Sequence, residues 1–195
     1  TTLKGNLALK AELEGDLKNL KEQTFSDKVK IDLETSVSNL EAQFKGDEKI
    51  YSVETCQIVA KEREIEVKDL KLKRGSSDLT INGKMPGVFN YLMDRNSPLT
   101  ITGSLYSNSI KMEDFLAPQG KSSESNDKPL IPVNINFKLN AAILQFSFGK
   151  FEARSLTGEM EIKNQKAVIS DLKLQTMQGE AELDAYVDNS RDKLE

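Results

Sequence analysis

The chain has 195 residues and a formal net charge of −4, from 27 Lys plus Arg against 31 Asp plus Glu; it has no His, no Trp and one cysteine, Cys56. Without His there is no His general base, no Ser-His-Asp triad and no His-ligated zinc, and one cysteine supports neither an internal disulfide framework nor a cysteine metal cluster. A mildly acidic chain is poorly suited to nucleic acid, its apolar stretches fall short of the roughly 20 residues of a membrane-spanning helix, and an apolar content of 37% leaves a modest core.

Period-two alternation dominates from the first residues, the pattern of half-buried strands. Leu3, Gly5, Leu7, Leu9, Ala11 and Leu13 oppose Lys4, Asn6, Ala8, Lys10 and Glu12. After Gly15, Leu17 and Leu20 stand at i, i+3 and predict a short helical turn over residues 16–22. Val29, Ile31 and Leu33 alternate with Lys30, Asp32 and Glu34; Leu40, Ala42 and Phe44 continue in the opposite phase, which predicts a bulge or turn near Ser38 and Asn39. Cys56 lies in a strand-like stretch, residues 51–58. Ile65 and Val67 alternate with acids and lysine, and Leu70 and Leu72 then shift by one position. Leu79, Ile81, Gly83 and Met85 form the next strand, and Phe89 and Leu92, after Pro86 and Gly87, predict a short helix.

Leu99, Ile101, Gly103 and Leu105 repeat the alternation, and residues 112–116 suit one helical turn stopped by Pro118. Residues 117–132 gather Pro118, Gly120, Pro129 and Pro132 around a polar run, and few apolar groups offset the entropy of ordering it. A mobile loop is expected at 119–128, inside one domain spanning 1–195, because the strand pattern resumes unchanged. The longest alternation is Val133, Ile135, Phe137, Leu139, Ala141 and Ile143; Leu144, Phe146 and Phe148 follow with a phase slip. Met160 and Ile162, Leu172 and Leu174, then Ala181 to Val187 complete about ten to twelve strands.

The sequence also repeats. Residues 7–20 and 79–92 align without gaps: Leu7 with Leu79, Leu9 with Ile81, Leu13 with Met85, Gly15 with Gly87, Leu20 with Leu92. Asp69-Leu-Lys-Leu72 returns as Asp171-Leu-Lys-Leu174, and a Leu/Ile-x-Gly-x-Leu/Met motif starts at Leu3, Ile101 and Leu156. A strand-repeat architecture follows, each unit extending one sheet.

The succession of these motifs resembles the C-terminal repeat region of AsmA-like proteins, related to TamB and to the bridge-like lipid transfer proteins. The string runs from the Leu-x-Gly-x-Leu strand through Asp69-Leu-Lys-Leu72 and Asp78-Leu-Thr-Ile-Asn-Gly83 into a short helix. Leu99-Thr-Ile-Thr-Gly-Ser-Leu105, a low-complexity loop, then Ile131-Pro-Val-Asn-Ile-Asn-Phe-Lys-Leu139 and Leu156-Thr-Gly-Glu-Met-Glu-Ile162 complete it. The resemblance covers most of the chain and is weakest over residues 21–64. It implies a mainly β fold: a long, twisted, antiparallel sheet curled into a groove, with a few short helices. It also implies a periplasmic body tethered by an N-terminal inner-membrane anchor, and a part in lipid transport or homeostasis for the outer membrane. A chain that opens at Thr1 inside a strand pattern is expected to be a segment of such a longer protein.

The candidate chemical groups read as structural. Cys56 has no His to serve as its base and is expected to be a buried or half-buried structural thiol. Glu62, Glu64 and Glu66, like Glu180, Glu182 and Asp184, alternate with apolar residues as a solvated sheet face does, without the loop spacing of a calcium site. The glycines do not gather before a helix as a phosphate cradle, and Lys71, Lys73 and Arg74 read as a solvated turn in preference to a headgroup site. No catalytic residue, metal or cofactor is expected.

A sheet with one apolar face must cover it. It either closes as a sandwich or barrel, or curls and offers its apolar face to a nonpolar guest; the low apolar content and the repeats favour the second. The expected lining comes from four strands: Leu7 and Leu9; Leu79, Ile81 and Met85; Ile101 and Leu105; Val133, Ile135, Phe137 and Leu139. The expected partner is a phospholipid or another acyl lipid. The competing expectation is a structural or protein-interaction β-repeat of the cell envelope; the cluster Phe137, Phe146, Phe148 and Phe151 suits either a packed core or the lining of an apolar groove.

Overall fold

The computed structural model describes residues 2–14, 30–44, 49–61, 64–115, 134–176 and 179–188. The fold is mainly β: one open, curled sheet of eleven strands. The strands are β1 (Thr2–Glu14), β2 (Lys30–Gln43), β3 (Tyr51–Lys61), β4 (Glu64–Arg74), β5 (Ser77–Pro86), β6 (Leu99–Ser107), β7 (Ile110–Lys111), β8 (Ile135–Phe148), β9 (Phe151–Lys163), β10 (Lys166–Thr176) and β11 (Gly179–Asp188). Their order in space is their order in sequence, except that β6 pairs directly with β8 while the two-residue β7 lies against the far end of β8. The expected helical turn at 16–22 and the expected loop at 119–128 lie outside the described residues.

Neighbours pair antiparallel except at β8, which runs parallel to both preceding strands: to β6 over nine residue pairs, Leu99 with Ile135 through Ser107 with Ile143, and to β7 over two, Ile110 with Phe146 and Lys111 with Ser147. A bend follows β6. The Asp78 carboxylate accepts hydrogen bonds from the Asn108 and Ser109 backbone N–H groups, at 3.1 and 2.9 Å, and from Asn108 Nδ2 at 3.0 Å. Beyond that bend the chain runs onward into β7, which keeps the direction of β6 along β8. Burial gathers at this junction: Leu99, Ser107, Ile110 and Ile143 are all buried.

Four residues inside strands take left-handed backbone angles: Asn39 (φ 52°), Asp69 (φ 48°), Ser155 (φ 52°) and Asp171 (φ 53°). Asn and Asp tolerate this region better than other residues with a Cβ. At Asp69 and Asp171 the ladder slips by one residue, a β-bulge. The bulge returns the following leucine to the face its strand had before it. Phase slips in the sequence are therefore corrections, which hold the apolar side chains on one side.

The repeat extends further than the Asp-Leu-Lys-Leu echo. β4 starts at 64 and β10 at 166; β5 starts at 77 and β11 at 179; each is a shift of 102, and the ends of both pairs move by the same amount. The 72-residue echo also holds in its strand half, since β1 ends at Glu14 and β5 at Pro86. The helix after β5, α1 (Val88–Met93), follows Gly87, whose φ of 75° suits glycine, and packs Val88 against the sheet between β4 and β6.

Candidate functional site

The ladder registers fix which side chains share a face, because residues directly opposite one another point the same way. One row crosses the sheet from edge to edge: Leu9, Thr35, Ile58, Val67, Gly83, Gly103, Leu139, Met160, Ile169 and Ala185. It carries no charge on any of ten strands. The next row inward on the reverse side is Lys10, Glu34, Val59, Glu66, Lys84, Thr102, Lys138, Glu161, Val168 and Tyr186. One face is apolar and the other is laced with ion pairs, among them Lys138–Glu159 at 2.9 Å, Lys84–Glu64 at 3.5 Å and Lys173–Glu182 at 3.3 Å.

Ten of the eleven expected lining residues are described, and strand alternation with the registers puts all ten on the apolar face; Val133 lies outside the described residues. Leu7 and Leu9, on the edge strand β1, are 70% and 64% exposed, whereas the residues on β5, β6 and β8 are half-buried by their neighbours. The sequence reading left Val37, Ile58, Met160 and Ile169 out of the lining. The same alternation carries them, but only a known register shows that their strands align with the others. Among the described residues the single α-helix is six residues long, too short to cover a face of this size. Eight apolar residues are buried, too few to seal a sheet of this size among the described residues.

One margin of the apolar face is closed by a polar lock. After β7 the chain makes a single 3₁₀ turn, Met112–Asp114. Buried Asp114 accepts from Lys49 Nζ at 2.7 Å, Ser77 Oγ at 2.7 Å, the Ser76 backbone N–H at 3.0 Å and Ser76 Oγ at 3.1 Å. Burial alone would raise its pKa, but the bonds from Lys49, Ser77 and Ser76 outweigh burial and hold the carboxyl well below the usual carboxylate range. Gly75 at the β4–β5 turn has φ 60°, and a Cβ there would run into this carboxylate. The neighbouring Glu113 accepts from the Gly149 N–H at the β8–β9 turn, so one short turn ties two hairpin ends together.

The other candidate groups take structural places. Cys56 is buried, and burial pushes its thiol pKa up, away from a reactive thiolate. The basic cluster is divided: Lys73 pairs with Glu54 on the charged face, while Arg74 turns to the other side, its guanidinium 4.4 Å from the Tyr51 ring centre and 5.9 Å from that of Phe115. Phe146 and Phe151 pack edge to face with centres 6.3 Å apart. Among the described residues no group of three or more acids or cysteines is placed to hold a metal ion, and no helix is long and apolar enough to cross a membrane.

Comparison with family models, with curated proteins and with solved structures finds no match to this chain.

Proposed function

We propose that the apolar sheet face carries acyl chains, and that the protein takes part, without catalysing a reaction, in moving or distributing phospholipid or another acyl lipid between membranes of a cell envelope. The periplasmic setting, the inner-membrane tether and the link to outer-membrane biogenesis come with the AsmA-like resemblance. The observation that carries the lipid reading is the uncharged row across ten strands, on a face that the described residues leave largely open. Ten strands about 4.8 Å apart give it a span of about 43 Å. An acyl chain that leaves water for such a surface gains about 0.8 kcal/mol per CH₂. The exchange from a bilayer is close to neutral, so a chain can slide along the row while its headgroup stays in water. The two sheet edges that have no further strand among the described residues favour a second reading, a β-repeat that docks other polypeptides.

The test is native mass spectrometry of the protein after incubation with phosphatidylethanolamine vesicles. Lipid adducts are expected on the native chain and a tenfold or greater loss of them on Ile135→Asp/Phe137→Asp, with the β-sheet circular dichroism of both proteins unchanged. A native chain without adducts, or a folded variant that keeps them, would overturn the lipid reading and leave the docking one.

A further inference from the structure

The sheet has two free edges among its described strands, and they differ in how they meet another chain. Unpaired edges invite strand addition, and charge along an edge is the usual guard against it. The polar side of β11 carries four acids, Glu180, Glu182, Asp184 and Asp188, interrupted only by Tyr186, so two β11 edges would repel. β1 is thirteen residues long, has no proline, and its leucines Leu3, Leu7 and Leu9 are 65%, 70% and 64% exposed. Its charges are segregated along the strand: Lys4 and Lys10 come first, then Glu12 and Glu14.

We propose that β1 is a homodimerisation edge, with the β1 strand of a second copy of this chain pairing antiparallel to it about a two-fold axis through Ala8. The register follows from two requirements that agree. Pairing all thirteen residues, Thr2 opposite Glu14, centres the contact on Ala8. The same register sets Lys4 against Glu12 twice, Leu7 against Leu9 twice and Asn6 against Lys10 twice. A slip of two positions shortens the overlap in either direction; one slip brings Lys4 against Lys10, and the other trades Lys4–Glu12 for Lys4–Glu14 and leaves Lys10 opposite Ala8. Glu12 now lies 3.3 Å from Lys10 of its own strand on a fully solvated face, a weak pair that can be traded. The contact is isologous and therefore closes at two subunits. Because the axis is normal to the sheet, both apolar faces lie on the same side, and the uncharged rows of the two copies meet at Leu7 and Leu9. The dimer stands on its own whether or not the face carries lipid.

The experiment is a charge swap read by sedimentation velocity of the full chain. The native chain is expected to dimerise at concentrations up to about 100 μM. Lys4→Glu and Glu12→Lys, each alone, set like charges opposite one another and should weaken the dimer about tenfold; an equal mixture of the two variants restores it, because Glu at 4 of the first then faces Lys at 12 of the second, and Glu12 of the first faces Lys4 of the second. As a second readout, Ala8→Cys should form an intermolecular disulfide under mild oxidation while Asn6→Cys does not, since only position 8 meets itself on the axis. A native chain that stays monomeric, a dimer indifferent to both substitutions, variants that fail to rescue one another, or crosslinking at 6 as readily as at 8 would each overturn the proposal.

Discussion

The block β3–β5 and the block ending in β9–β11 are one design used twice, 102 residues apart, and they differ in what holds them. In each, an aspartate in left-handed conformation makes the bulge, and a side chain from the next strand caps it: the Asp69 N–H donates to Asn82 Oδ1 at 2.9 Å, and the Asp171 N–H to Asp184 Oδ1 at 2.9 Å. The first block has β6 on its outer edge and the Asp114 lock on its β4–β5 turn. The second has neither among the described residues. Ile81 and Met85 are accordingly half-buried, whereas their counterparts Leu183 and Val187 are 41% and 52% exposed. Local sequence sets the bulge, so it recurs; distant partners supply the anchoring, so it does not.

The largest test of that difference is to remove the lock. Asp114→Ala leaves the Ser76 N–H, the Ser77 hydroxyl and the Lys49 ammonium without their common acceptor and should cost about 2–4 kcal/mol. Hydrogen exchange should speed up around residues 74–80 and remain as in the native chain around 174–182; equal acceleration in both blocks would show that the lock does not distinguish them. The acid limb follows from the depressed Asp114 pKa. Its contribution is fully present above the unfolded-state value of about 3.9 and is lost as the pH falls below that, toward the lower folded-state value. In urea titrations at a series of pH values, Asp114→Asn should therefore lose less stability than the native chain between about pH 4 and pH 2.

How much of this was legible in the sequence depends on range. The mainly β fold, the helix at Val88–Met93 and the slips at Asn39 and Asp69 all show in the alternation, because each is written within a few residues. The candidate lining was legible for the same reason, up to the register. The parallel β6–β8 junction was not, since alternation is blind to strand direction; nor was the bend after β6, because Asp78, which holds it, is about thirty residues away from Asn108. Asp114 was read as part of a plain helical turn. Its partners Lys49, Ser76 and Ser77 are far away in sequence, and no spacing rule connects them.

The bulge caps give a smaller effect. Asn82→Ala and Asp184→Ala each remove one hydrogen bond to a bulge N–H, about 0.5–1.5 kcal/mol, at the lower end where water replaces the acceptor. The Asn82 change should cost more, because β5 is paired on both sides and β11 on one. Since the two caps lie far apart in the sheet order, chemical denaturation of the double variant should give the sum of the single effects. A marked excess would mean that the blocks communicate through the strands between them.

The smallest expected effect is at the position facing each bulge, where the blocks carry different residues: Cys56 in the first and Gly158 in the second, again 102 apart. A Cβ at Gly158 would lie 3.2 Å from both Cα and Cδ1 of Leu172, so Gly158→Ala requires the backbone or the leucine to yield and should destabilise the second block by about 1 kcal/mol. In the first block the site already accommodates a side chain, and Cys56→Ala removes one buried sulfur at a cost of about 0.8 kcal/mol. Cys56→Gly should cost more than Cys56→Ala through the added backbone freedom of the unfolded chain. Thermal melts of the three variants separate the cases. If Gly158→Ala is neutral or stabilising, the second block has room that its geometry denies, and the glycine is not there to let the strands approach.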